Sequence, residues 1–89
     1  MKFMVTWSMN PAHRNDANAR FLETGGGPPA GVKMLGRWHA AAGGFVLAET
    51  GDVKALYEWT GQWSDLLNFK VTPVMDDAEA AEVIKKISG

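Results

Sequence analysis

The residues best suited to chemistry in this 89-residue chain stand in one four-residue stretch, Gly36-Arg37-Trp38-His39. Histidine exchanges a proton around neutral pH, and arginine grips carboxylates through two parallel N–H donors. His39 and Arg37 therefore form a candidate catalytic pair, an acid–base group beside an anion-binding group. In a regular β-strand side chains alternate between faces. That alternation puts Arg37 and His39 on one side and Trp38 on the other. The plainer alternative is an interface ion pair with a carboxylate such as Glu49, since charged clusters also occur for structural reasons.

Other chemistries find less support. Cysteine is absent, which excludes disulfides and thiolate metal sites. His13 with Asp16 supplies two ligands, too few for a metal site, and reads as solvated surface. His39 is the one candidate for a haem axial ligand, and its strand setting beside Arg37 favours acid–base work instead. No metal and no cofactor is expected. The glycine-rich run Gly25–Gly31, "GGGPPAG", leads from a helix into a strand and lacks the Lys-Ser/Thr ending, unlike a phosphate-cradling loop. A formal net charge of −1 and a pI near 6.0 give no drive toward nucleic acid or anionic lipid. Gly44-Phe45-Val46 is all that survives of an RNA-recognition third strand, with no basic residue near it. No apolar run approaches the roughly 20 residues that span a bilayer. The opening "MKFMVTWSMNP" alternates like a strand and lacks the small-residue cleavage site of a signal peptide. These features point to a soluble cytoplasmic protein without nucleic-acid or membrane partners.

The elements that must position the pair follow from periodicity. Phe3, Val5, Trp7 and Met9 alternate with Met4, Thr6 and Ser8, as in a half-buried strand. Asn10 and Pro11 open a helix that Gly25 stops. Its buried stripe is Ala17, Phe21 and Leu22, and Asp16 with Arg20 is a surface pair one turn apart. Val32–Ala40 and Gly44–Thr50 flank "AAGG" and read as a hairpin. Asp52 caps a helix running through "VKALYEWTGQWSDLLNF", with Gly61 in its middle as a bend or close approach. Phe69–Met75 is a last strand, with Pro73 marking an edge or an end. Asp76 and Glu79 form a capping pair for a final amphipathic helix with Ala80, Val83, Ile84 and Ile87 on one stripe. The order is that of an α+β, ferredoxin-like split βαβ domain over residues 1–89 with a C-terminal helix: a four-stranded antiparallel sheet, first and third strands central, two helices on one face.

The covered face then takes Phe3, Val5, Trp7, Val32, Met34, Trp38, Phe69 and Val71. The open face takes Met4, Thr6, Ser8, Leu35, Arg37, His39, Lys70, Thr72 and Val74, a mixture that suits a dimer interface around a small polar pocket. Glu49 joins it if the third strand presents Phe45, Leu47 and Glu49 there. Trp38, Trp59 and Trp63 serve mainly as core, with Trp63 the best exception because it follows Gly61 and precedes Ser64-Asp65.

The stretches "MKFMVTW", "RFLETGGGPPAGVKMLGRWH" and "EWTGQWSDLLNFKVTPVMDD" with the C-terminal helix resemble a family of small, uncharacterised bacterial proteins, a domain of unknown function. The element order also resembles the dimeric α/β-barrel superfamily, whose members include cofactor-free monooxygenases, muconolactone isomerases and haem-binding enzymes. That resemblance implies a homodimer packed sheet against sheet and carries no catalytic motif. The reading that results is a small-ligand-binding protein or cofactor-independent enzyme. His39 exchanges a proton, Arg37 holds an anionic or polar group, and Thr6, Ser8, Glu49, Trp63 and Thr72 orient a small polar or aromatic ligand between sheet and partner subunit. The alternative is a structural module whose polar sheet face only joins two copies.

Overall fold

A computed structural model describes residues 1–89 as a mixed α+β domain with three helices and one open, antiparallel four-stranded sheet. Strand β1 (Lys2–Met9) leads through a 3-10 turn at Pro11–His13 into α1 (Arg14–Thr24). Then come β2 (Lys33–Ala40), β3 (Gly43–Glu49), α2 (Val53–Gly61), β4 (Leu67–Val74) and α3 (Asp77–Ser88). The strand order is β2-β3-β1-β4, so β1 and β3 are central.

Local chemistry explains the boundaries. The Asn10 side chain accepts from the Ala12 N–H at 2.9 Å. Gly25, at φ 75°, ends α1 in the left-handed conformation that favours glycine, and its N–H donates to the Phe21 carbonyl at 2.7 Å. Asp52 accepts from the Lys54 N–H at 3.0 Å and starts α2. Asp76 and Glu79 form a reciprocal capping box at α3. Thr50, a buried polar residue, donates to the Gly31 carbonyl at 2.7 Å and ties the end of β3 to the loop between α1 and β2.

Helix α2 is shorter than its apolar spacing predicts. It ends at Gly61, so Trp63 and Leu66 sit in the turns that follow, and β4 begins at Leu67. Gly61 is a terminus, not a mid-helix bend. In α1 only Ala17 is buried, while Leu22 is 84 % exposed and does not join the core. Arg20 turns from Asp16 to Asp65, as described below.

The core lies between the sheet and α2 and holds Phe3, Val5, Val32, Val46, Ala48, Ala55, Leu56 and Trp59, with Trp7, Met34 and Phe69 packed against it. Trp38 is not part of it. Cross-strand pairing is regular from Met34, opposite Ala48, but Gly36 rather than Leu35 then faces Leu47. Leu35 is the extra residue of a β-bulge, which shifts everything after it by one position. Arg37 now lies opposite Val46 and His39 opposite Gly44, on the helix-covered face. Trp38 lies opposite Phe45, on the open face, and is 57 % exposed. The expected alternation holds within the stretch, but its two faces are exchanged.

Helix α3 touches the sheet only at its start, where Glu79 lies 3.7 Å from Lys2. None of its residues is buried, and it contributes to a long axis of 53 Å against 27 and 18 Å for the other two.

Candidate functional site

The bulge carries Arg37 and His39 into a cavity of about 110 Å³ between the sheet and the two covering helices. β1 supplies Val5 and Trp7, α1 supplies Asn18 and Phe21, and the other walls include Val46, Trp59, Trp63 and Phe69. Ten of the 15 lining residues are hydrophobic, so the interior suits a ring rather than an ion.

Gly26 organises the floor. Its φ of 55° is left-handed, and it is buried. Its carbonyl accepts from Arg37 Nη1 at 2.8 Å and from Trp59 Nε1 at 3.3 Å. Arg37 Nη2 donates to the Gly25 carbonyl at 2.9 Å. A β2 guanidinium thus satisfies two carbonyls at the C-terminal end of α1, where unpaired acceptors and the helix dipole favour a cation. The same guanidinium stands 5.0 Å from the centre of the Phe21 ring. Arg37 is committed to the fold, which leaves it poorly placed to grip a ligand anion.

His39 is held differently. Its ring meets Trp7 edge-on at 5.5 Å and Phe21 at 5.1 Å, and its side chain makes no hydrogen bond to the protein. The residue is exposed at the rim of the cavity, while its aromatic neighbours keep the ring in place. Gly44 permits this packing, because a Cβ there would run into the Trp7 indole.

Trp63 closes another side. Arg20 lies 5.3 Å over its ring and forms a two-pronged ion pair with Asp65, both N···O distances being 2.8 Å. Arg20 also donates to the Gln62 carbonyl at 3.1 Å. Its hydrogen bonds and charge hold the Asp65 carboxyl below its ordinary range and raise Arg20 in turn. This clamp joins α1 to the turn that presents Trp63.

The remaining candidates lie elsewhere. Thr6, paired with Phe45 and Lys70, and Thr72, paired with Met4, are on the open sheet face; Ser8 lies there opposite Gly43 and Asn68. Glu49 shares that face, as one of the two register alternatives requires, but the bulge has removed Arg37 and His39 from it. Glu49 lies 3.6 Å from Lys2, which is also 3.3 Å from Asp76. These contacts raise Lys2, the hydrogen bond to Asp76 foremost. Of the seven candidate site residues the structure brings together Arg37, His39 and Trp63. The sequence reading missed Asn18, Phe21 and Gly26; the one available signal was the three-glycine run, which needs a positional reason. No group of three or more histidine, cysteine or carboxylate side chains is placed to hold a metal. No helix is long and apolar enough to cross a membrane.

No curated protein and no solved structure matches the chain. A domain family does, over residues 1–88. The agreement spans the cavity, the bulged strand and α3 alike, and the chain belongs to the family described as Domain of unknown function (DUF3303).

Proposed function

We propose that this protein binds a small, uncharged, single-ring aromatic compound in the cavity between sheet and helices, with His39 meeting a hydroxyl or carbonyl substituent at the rim. The observation that carries this reading is an aromatic-walled cavity with a histidine at its mouth whose ring nitrogens have no partner in the protein. Its volume of about 110 Å³ is somewhat below that of the engineered apolar cavity of about 150 Å³ that admits benzene. The cavity is open at its rim, so one ring fits with its substituent outward. Asn18 provides a second polar group on the lining. Arg37 spends an N–H of each Nη on the Gly25 and Gly26 carbonyls, which leaves no free two-pronged fork for a carboxylate. If a reaction takes place, His39 is the lining residue that can both give and take a proton, and no cofactor is invoked.

The test is a titration with phenol, toluene and benzoate, followed by thermal shift and by NMR of the tryptophan indole N–H groups. Phenol should perturb the Trp59 and Trp63 signals and raise the melting temperature, toluene less so, and benzoate least. His39→Phe should reduce the preference for phenol over toluene. Failure of all three compounds to perturb the indoles at millimolar concentration would overturn the reading.

A second reading is favoured by the open face. Trp38 and Phe45 are exposed there as a cross-strand pair, and the Trp38 indole reaches over Gly36, where any Cβ would meet it. Exposed apolar patches on a sheet mark interaction surfaces. The strand order supports a ferredoxin-like assignment, and the exposed aromatic pair supports a homodimer packed sheet to sheet.

A further inference from the structure

We propose that α3 is an exchanged arm: its apolar stripe seats in the groove between α2 and β4 of a second copy of this chain, which returns its own α3 in the same way. The donor is the outer face of α3. Val83, Ile84 and Ile87 are 43, 58 and 77 % exposed, and with Ala80 they form one stripe at helical spacing. A 12-residue helix with a full capping box and an exposed apolar stripe needs a surface to cover it.

The acceptor is on the same chain. A groove of about 400 Å³ runs along the helix side of edge strand β4, lined by Phe3, Val53, Leu56, Tyr57 and Val71 among others, with no charged residue in its lining. Val53, Tyr57 and Val71 are exposed although they flank the core. The chain's own α3 does not fill this groove. Only Met75 and Asp76 separate it from β4, and the bond between Lys2 and Asp76 fixes its start at the end of the sheet.

The occupant follows from number and area. Each chain carries one donor and one acceptor, and a two-fold axis satisfies both at once. A helix this long covers a strip about 18 Å by 10 Å. Arm and groove together therefore give each partner a footprint of roughly 350 Å², below the roughly 800 Å² per partner of a stable interface. Four strands at about 4.8 Å spacing and eight residues of length give the sheet face roughly 500 Å² more. With that face included, the total reaches what a stable dimer needs. The arm and the open sheet face thus describe one assembly with a second copy. The exchanged arm rests on the sheet-to-sheet dimer proposed above and needs no ligand in the cavity.

The experiment uses the full chain, which has no cysteine of its own. Sedimentation velocity over 1–100 µM should show a dimer, an order-of-magnitude range that brackets ordinary homodimer affinities. Ile84→Glu in the arm and Tyr57→Glu in the groove, both at exposed positions, should each raise the dissociation constant at least about tenfold while circular dichroism stays unchanged. Ile84→Cys mixed with Tyr57→Cys should form a disulfide between chains under mild oxidation. A monomeric wild-type protein would overturn the proposal. So would a dimer indifferent to Ile84→Glu, or one sensitive to it but not to Tyr57→Glu. Disulfides between two Ile84→Cys chains, with none joining an Ile84→Cys chain to a Tyr57→Cys chain in the mixture, would assign the arm to helix–helix pairing and overturn the groove.

Discussion

Arg37→Met separates a structural arginine from a ligand-binding one. The wild-type side chain makes two charge-assisted hydrogen bonds, 2.8 Å to the Gly26 carbonyl and 2.9 Å to the Gly25 carbonyl. Bonds to charged groups contribute about 1.5–3 kcal/mol each. They do not count equally here. The Gly25 carbonyl is near the surface and rehydrates in the variant, so most of its loss is offset. The bond to Gly26 is partly buried, and that carbonyl then keeps only the longer bond from Trp59 at 3.3 Å. One full bond, a fraction of the second, and about 0.5–1 kcal/mol from the cation over the Phe21 ring bring the expected loss to about 3 kcal/mol. At about 4–8 °C per kcal/mol for a domain of this size, the melting temperature should fall by roughly 12–24 °C. Urea unfolding should give the same loss at unchanged slope. Arg37→Lys keeps the charge but reaches one carbonyl at most, and should recover less than half of the difference. A loss below about 0.5 kcal/mol, together with abolished binding of carboxylate ligands, would refute the argument. The guanidinium would then be free for a ligand, and the geometry at Gly25 and Gly26 would have no energetic consequence.

Three further outcomes are expected. Gly26→Ala imposes a side chain at φ 55° and brings a Cβ to 3.3 Å from both Arg37 Nη1 and the Trp63 ring; it should cost about 1–2 kcal/mol and weaken phenol binding, read by melting and by titration. Trp38→Ala should cost the isolated protomer about 1 kcal/mol or less in urea, because the indole is mostly exposed; a loss of about 3–5 kcal/mol would place it in the core after all. Asp65 is held below its ordinary range chiefly by the Arg20 hydrogen bond, and Asp76 chiefly by the Glu79 backbone N–H and then by Lys2. The unfolded chain therefore takes up protons at higher pH than the folded one. The stabilisation is complete above about pH 4 and is lost as the pH falls further, toward the folded-state values. Asp65→Asn should flatten the acid side of the melting-temperature profile, and an unchanged acid side would contradict the clamp.

What was legible in the sequence was what local chemistry decides. The alternation of Phe3, Val5 and Trp7 places β1, the Asp76–Glu79 pair starts α3, and Gly25 ends α1, each through groups a few residues apart. What was not legible depends on distant partners. Asp16 and Arg20 have the spacing of a helix-surface pair, yet Arg20 reaches 45 residues along the chain to Asp65, where two N–H donors meet two carboxylate oxygens. The Gln62–Leu66 stretch keeps apolar spacing without staying helical, because Gly61 ends α2 and Trp63 is drawn under Arg20. The register of β3 could not be read from one strand alone, and its pairing with β1 puts Glu49 opposite Lys2.

The exchange of faces in Gly36–His39 has a more specific origin. A glycine inside an alternating strand signals a bulge or a close approach of another group, and Gly36 is both. Leu35 is left out of register, and the Trp38 ring occupies the space that a Cβ on Gly36 would take. Regular alternation would have placed a large indole under the helices and two polar side chains on the open face. With the bulge, a guanidinium from β2 reaches the end of α1, and an imidazole is fixed between Trp7 and Phe21 at the mouth of an apolar cavity. The open face meanwhile gains Trp38, which pairs with Phe45 and leaves two exposed aromatic rings for another sheet to cover. One inserted residue therefore supports both proposals: it builds the polar rim of the cavity and takes Arg37 and His39 off the surface that a second copy would cover.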